Sequence, residues 1–499
     1  MTTNAVLDVL KASTFGKRTA EEERDHLAQY FVQTEQWNQV YSGNTDIVYG
    51  AKGSGKSAIY SLIIANENAL FDRSIMVVPA ENPQGAPAFQ NISTDPPASE
   101  FEFVSLWKLY FLSICGQHFK AFGIRSDKCD RVVEALESAD LVPSNFSLSK
   151  ALRFAFDYIK RFTRISAVEG GYNFDPNTGM PTGITGRIVL AEPDAKQSKL
   201  GAVSVGELFA LANEALLEKG LTFWVLLDRL DVAFADKADL EVEALRALFK
   251  CYLDLKAFRN IQLKIFLRTD IWNKITEQGF REASHIEKSI TIKWKPDDLL
   301  NLVVRRIISN SKICEHYSVE PERVLESFER QEGFFYEVCP KQVESGPNKP
   351  ITFKWILGRL RDANETAAPR EIIHFLNELR ETQITRLEKG RQGPAEPNLF
   401  EQISFKDALP AVSKVRLEQT LFAEFPSLKT YIEALREQKA TQHLRNLAEL
   451  WRIDEAECLR VASSLEEIGF FERVGSSKDE WSVPFLYRPA LGLVQGSAA

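Results

Sequence analysis

The chain has 499 residues, 44% hydrophobic and 26% charged, which is the make-up of a globular protein with room for roughly two to four domains and not of a disordered chain. Its formal net charge of −8 argues against a general nucleic-acid coat, although a local basic groove stays open. No apolar run approaches the ~18 residues of a membrane span, the N-terminus lacks a signal-peptide layout, and the six cysteines (115, 129, 251, 314, 339 and 458) form no C-x-x-C pair. The expectation is a cytoplasmic protein with reduced thiols and no membrane partner. Cys115 with His118, and Cys314 with His316, come nearest to metal-ligand spacing, and each pair stands alone.

Residues 1–45 read as a helical lead-in, with Leu27, Tyr30, Phe31, Trp37 and Val40 at roughly helical spacing. A short apolar run, Asp46-Ile47-Val48-Tyr49, then meets Gly50-Ala51-Lys52-Gly53-Ser54-Gly55-Lys56-Ser57, a complete G-x-x-x-x-G-K-[ST] phosphate-binding loop. A helix-like run, Ala58 to Ala65, follows. Strand, loop and helix in that order are the context the motif needs. Its glycines let the backbone wrap a phosphate chain, and its N–H groups point at anionic oxygens. Lys56 would reach the β- and γ-phosphates, and the Ser57 hydroxyl would ligate Mg²⁺.

Ile75 to Val78 reads as a second buried strand stopped by Pro79. Residues 80–200 read as an insertion: a Pro- and Gly-rich loop to 100, helical clusters over 101–165, then an irregular, hairpin-bearing excursion. The core resumes with a helix near 204–219 and the apolar strand Leu221 to Leu227, which ends in Asp228. A helix near 240–258 and the strands Gln262–Leu267 and Ser289–Trp294 complete residues 46–295 as an α/β P-loop NTPase core. Its sheet should be mostly parallel, with helices on both faces. Beyond it lie an α-helical lid (296–390), a linker (391–404) and a C-terminal winged-helix domain (405–499) of short helices followed by a hairpin.

A metal–phosphate site needs a carboxylate at a strand end to hold Mg²⁺, commonly through water, and a second to orient the attacking water. Asp228 suits the first role. Asp231 is the nearer candidate for the second, with helix capping as its ordinary alternative. Arg268 or Thr269, at the tip of the next strand, is placed to touch a γ-phosphate. Arg281 is a candidate for an arginine offered to a neighbouring subunit. Arg370 follows Pro369 at a helix start, where a cation opposes the helix dipole unless an anion offsets it, which makes Arg370 a candidate phosphate sensor.

These motifs together resemble the STAND and origin-recognition (AAA+) branch of the P-loop ATPases. The resemblance is carried by residues 50–57, Leu226-Leu227-Asp228-Arg229-Leu230-Asp231, Leu267-Arg268-Thr269-Asp270, Pro369-Arg370 and the winged helix. More narrowly, Phe15-Gly16, Ala20-Glu21, Tyr30-Phe31 and Pro484 to Arg488 resemble a bacterial P-loop ATPase family. The likeness covers most of the chain outside 80–200. It implies an enzyme that hydrolyses Mg·ATP as a switch, assembles into a homo-oligomer on binding ATP, and serves bacterial stress or phage-defence signalling. ATP is preferred to GTP because no N-K-x-D follows the core strands.

Residues 441–499 carry six basic side chains against nine acidic ones, a net of −3. The expected third helix holds Asp454, Glu455, Glu457, Glu466 and Glu467 against Arg460, so a duplex would repel it. That charge favours a protein-contact or lid-positioning role for the winged helix. The 80–200 insertion is open to a protein partner, and DNA contact stays open to the ATPase ring or the insertion. The alternative reading is an initiator-like, DNA-engaging ATPase of replication, transposition or repair; a third is a nucleotide-binding scaffold that hydrolyses nothing.

Overall fold

The computed structural model describes residues 3–80, 99–142, 147–168, 188–190, 202–230, 238–277, 279–364 and 367–498. They divide into two compact units. A core unit holds Glu35–Ala51 and Lys56–Ile292; a second unit holds Met1–Thr34, Lys52–Gly55 and Lys293–Ala499.

The core unit is built on strands β1 (Ile47–Gly50), β2 (Ile75–Pro79), β5 (Thr222–Leu227), β6 (Ile261–Arg268) and β7 (Ser289–Thr291). A short pair, β3 (Ile188–Val189) and β4 (Val203–Ser204), lies apart from them. The five core strands run parallel in the order β2-β5-β6-β1-β7. Phe223-Trp224-Val225-Leu226-Leu227 is apolar at every position because both faces of its strand are covered. Phe223, Val225, Leu227, Ile47, Tyr49, Leu263 and Ile265 share one core with Trp107, Leu216 and Leu248. On the opposite face, Phe266 meets Tyr60 of the helix Lys56–Ala65 edge to face, centroids 5.8 Å apart. Helices therefore cover both faces, as the apolar runs predict.

The insertion is less separate than its position suggests. The helix Glu100–Ala121, capped by Ser99, buries Phe103, Leu106, Trp107, Tyr110 and Phe111 in the core. Trp107 Nε1 donates to the Ala244 carbonyl at 2.8 Å. Its companions are Asp127–Ser138 and Leu148–Val168. Most of the expected excursion over 166–200 falls outside the described residues.

The second unit is mostly helical. Pro296–Ile308, Phe328–Val338, Thr352–Leu360, Pro369–Glu388 and Gln402–Arg416 are its main helices. The N-terminal arm is fastened to the first of them. Arg306 grips Glu23 through both guanidinium nitrogens at 2.7 Å and donates to the Phe15 carbonyl at 2.7 Å. Residues 391–404, read from composition as a linker, carry the fully buried Leu399 and Phe400, and the Asn398 side chain donates to the carbonyls of Tyr336 and Glu337.

The C-terminal part is winged-helix-like: helices Leu444–Trp451 and Glu455–Glu467 with a four-stranded sheet. Its strands are β8 (Lys439–His443), β9 (Glu472–Arg473), β10 (Glu480–Ser482) and β11 (Val494–Ser497), in the order β11-β8-β10-β9. The expected hairpin is β9–β10; β8 and β11 are additions to the sequence reading.

Candidate nucleotide site

In an open parallel sheet, ligands gather where the strands end, because loops and helix N-termini converge there. Three of the expected site residues lie at that edge of the core unit. Gly50 ends β1, Arg268 ends the adjacent β6 in register with it, and Asp228 follows β5, one strand further along. Asp228 is buried, at 4% exposure. The next residue, Arg229, adopts a left-handed φ of 56°, so the chain turns sharply just after the carboxylate. A non-glycine residue in that region costs about 1 kcal/mol, and such strain gathers at functional sites.

Lys56 opens the helix Lys56–Ala65 and folds back over the loop, with Nζ donating to the carbonyls of Gly50 (2.8 Å) and Ala51 (3.1 Å). Ser57 follows it in the first helical turn. Arg268 is engaged by its neighbour: Nε and Nη2 donate to the two Asp270 oxygens at 3.0 and 2.7 Å. Burial pushes the Asp270 carboxyl up, and the Arg268 hydrogen bond and charge more than offset it, so the net shift is downward. Any phosphate contact by Arg268 must compete with that clasp. Arg281 lies exposed in the turn Arg281–His285. Asp231 lies outside the described residues.

The tip of the loop, Lys52–Gly55, belongs by its contacts to the second unit. Gly53 and Gly55 have φ of 80° and 101°, conformations that side-chain-bearing residues rarely adopt. A Cβ on Gly53 would also lie 3.1 Å from Cβ of Arg370, so glycine is what lets this helix start approach the loop. Trp294 Nε1 donates to the Ser54 carbonyl at 2.8 Å. Lys52 forms an ion pair with Glu424.

Two polar groups here are buried and without a hydrogen-bond partner among the described residues: Ser54 Oγ and Arg370 Nε. Arg18 Nε is in the same condition, and Arg18 is close enough to Arg370 to feel its charge. Burial, and then the Arg370 guanidinium, hold the Arg18 pKa below its ordinary value. Two guanidinium groups that repel each other, each with a buried Nε unanswered, suit an anion by the chemistry of their donors, while Glu371, Glu22 and Glu378 offset part of the charge at Arg18. The sequence resemblance marks Phe15-Gly16, and Arg18, two residues beyond that glycine, carries no other local signal. Trp294 lies beyond the end of β7 at Thr291, where the sequence predicts strand, and no local pattern singles out Glu424.

Within the core unit, Lys56, Ser57 and Asp228 are residues that would suit a nucleotide with its metal. Mg²⁺ keeps several waters and takes one or two protein oxygens besides those of phosphate, so the Ser57 hydroxyl and the Asp228 carboxylate suffice. Among the described residues no cluster of three or more His, Cys, Asp or Glu could hold a metal by itself.

Three of the six basic side chains of residues 441–499 are tied within the winged-helix-like part. In Glu455–Glu467, Arg460 is held by Glu457. Arg473 is tied to Glu466 at 2.7 Å and to the Lys478 carbonyl at 2.7 Å. Arg488 donates to the Val483 carbonyl at 2.7 Å.

No known protein-family description and no curated protein matches the chain. Among solved structures it is similar to the Walker-type ATPase PABY2304 of Pyrococcus abyssi, at 10% identity and a TM-score of 0.38 over 96% of this chain and 98% of that one. It is also similar to Aeropyrum pernix ORC1 solved in complex with DNA, at 13% identity and 0.36 over 95% and 96%. A third is A. pernix ORC2 in ADPNP–ADP complexes, at 12% and 0.29 over 96% and 95%. Likeness at this level assigns no activity, and the functional reading rests on the chain's own residues. Among the described residues no helix is long and apolar enough to cross a membrane.

Proposed function

We propose that the protein binds Mg·ATP at Gly50–Ser57 and hydrolyses it slowly, as a switch that controls self-assembly or engagement of a protein partner. The observation that carries this reading is a complete phosphate loop between a parallel strand and its helix, with Asp228 buried at the same edge of the sheet. Lys56 and the loop N–H groups bind the phosphates, while Ser57 and Asp228 hold Mg²⁺, which supplies charge neutralisation and orients the γ-phosphate. Arg370 adds positive charge at the loop tip, and Arg18 reinforces it. Asp231 remains the candidate to orient water, and Arg281, exposed, the candidate to meet a neighbouring subunit. The sequence resemblance sets this switch in bacterial stress or phage-defence signalling.

A second reading, an initiator-like ATPase that engages DNA, takes its cue from the resemblance of the phosphate loop, the Asp228 strand end and the Arg268 strand tip to the origin-recognition branch. The acidic helix Glu455–Glu467 speaks against contact through the winged-helix-like part, so the duplex would have to meet another surface.

The test is mass by light scattering with no nucleotide, ADP, or a non-hydrolysable ATP analogue, with and without duplex DNA. Growth with the analogue alone supports the switch. Growth only with DNA promotes the second reading. Nucleotide binding without growth or turnover leaves the scaffold reading, and absence of nucleotide binding overturns all three.

A further inference from the structure

The wide helical turn Leu417–Leu421 follows the helix Gln402–Arg416 and leads into the short turn Phe422–Glu424. Wide turns of this kind are rare and concentrate at functional sites. Both of its ends carry a charged tie within the second unit. Before it, Arg416 Nη1 binds Glu371 at 3.0 Å and Nη2 reaches Asp362 at 3.5 Å. Glu371 directly follows Arg370 on the helix that meets Gly53. After it, Glu424 forms its ion pair with Lys52, the third residue of the phosphate loop. One short segment thus grips the base of the Arg370 helix with a cation and the loop tip with an anion.

A phosphate loop collects positive charge and N–H groups for an anion. Here a carboxylate already neutralises one of its cations. The Glu424 side chain is 16% exposed and that of Lys52 30%, so solvent screens the pair only partly. A polyphosphate arriving at the loop meets Glu424 as a like charge competing for the same ammonium. Both anions cannot keep full value there.

We propose that Glu424 is a built-in competitor of the nucleotide. Its carboxylate sets the loop's affinity for polyphosphate and is displaced when phosphate binds, which frees the segment 417–424. This rests on Gly50–Ser57 being the nucleotide site. It gives the switch a physical output: the segment that loses its tie to the loop lies between the helix packed on the Arg370 helix and the winged-helix-like part.

The test is calorimetric titration of the full chain with ADP and a non-hydrolysable ATP analogue, using wild type, Glu424→Gln, Lys52→Gln and the double variant. Glu424→Gln is expected to bind roughly threefold to tenfold tighter at low salt, with the gain shrinking as ionic strength rises. In the Lys52→Gln background the same change should give little or nothing, since the contested cation is gone. A merely structural Glu424 would show the opposite sign, with weaker binding and a lower unfolding temperature. In wild type, amide exchange over 417–424 should speed up when nucleotide binds. Unchanged or weaker binding by Glu424→Gln, beside normal wild-type binding, overturns the proposal; so does exchange that stays level or slows. If wild type binds no nucleotide, the site assignment itself fails, a different result from either of these.

Discussion

The two edges of the core sheet use polar residues in opposite ways. Beside the N-terminal end of β1, Lys264 of β6 is buried at 1% exposure, and every direction it points is answered. Its Nζ donates to Asp46 and to the Thr45 carbonyl, both at 2.8 Å, and lies 4.6 Å from the centre of the Trp224 ring. Asp46 also accepts from the Tyr252 hydroxyl at 3.1 Å. At the C-terminal edge, Lys56 leans on carbonyls of its own loop and the Tyr49 hydroxyl is buried without a partner among the described residues. A closed polar cluster holds a fold together. An open one costs stability and waits for a ligand.

The sharpest way to break this contrast is Lys264→Met. It strands Asp46 in the interior, and removing one partner of a buried pair costs about 3–5 kcal/mol. Urea unfolding should show the loss. Lys264→Met with Asp46→Asn should recover a good part of it, because no lone charge is then left behind. A single variant as stable as wild type would mean that the pair contributes nothing.

A second test uses pH in the other unit. His374 is held down to about 4 by burial and then by the Arg18 charge, with Glu378 at 3.3 Å failing to compensate. The depressed value fixes the sign. Below its ordinary 6.5 the unfolded chain takes up a proton that the folded chain refuses until about pH 4, so stability falls as pH drops through that window. The contribution is at most ~3 kcal/mol. His374→Gln should flatten that part of the stability–pH curve. An unchanged curve would remove His374 as its source.

At the open edge, Lys56→Ala should act on ligand and not on fold. Loss of one charge-assisted contact is worth ~1.5–3 kcal/mol, so nucleotide affinity should drop roughly tenfold to a hundredfold. The unfolding free energy without nucleotide should stay within ~0.5 kcal/mol of wild type, since the Gly50 and Ala51 carbonyls that Lys56 holds can turn to water. A large fall in that free energy would put Lys56 in the same class as Lys264.

Much of this layout is legible in the sequence for physical reasons. A strand buried on both faces must be apolar throughout, so Phe223 to Leu227 declares itself, and a phosphate loop must have glycine where φ is positive, so Gly53 and Gly55 do too. The helix Glu455–Glu467 is announced by its Asp454 cap, whose side chain accepts from the Glu457 amide at 2.8 Å. What escapes is whatever depends on a partner far along the chain. β8 reads Lys-Ala-Thr-Gln-His and has no apolar run; it is a strand because β10 and β11 pair with it. The clasp of Arg268 by Asp270 escapes for a different reason: the two are near neighbours in the chain, and their side chains meet only because the strand ends and a helix begins between them. Glu424 lies 372 residues from Lys52, and no local pattern joins them.

The finest test carries the same contrast into the second unit, with Arg18→Gln. In an open cluster a residue kept for a ligand is a burden when the ligand is absent. Arg18 sits beside Arg370 with its Nε unanswered, and both burial and that neighbour work against its charge. Glu371, Glu22 and Glu378 offset part of this. Removing the charge should therefore leave the nucleotide-free protein as stable as wild type, or up to ~1 kcal/mol more so, while weakening nucleotide binding several-fold. Thermal unfolding with and without the ATP analogue reads both effects in one experiment, since the ligand's stabilisation falls with its affinity. A variant that loses stability in both conditions alike would place Arg18 among the structural residues, with Arg306 and Lys264. Opposite signs in the two conditions would mark it as held for the phosphate.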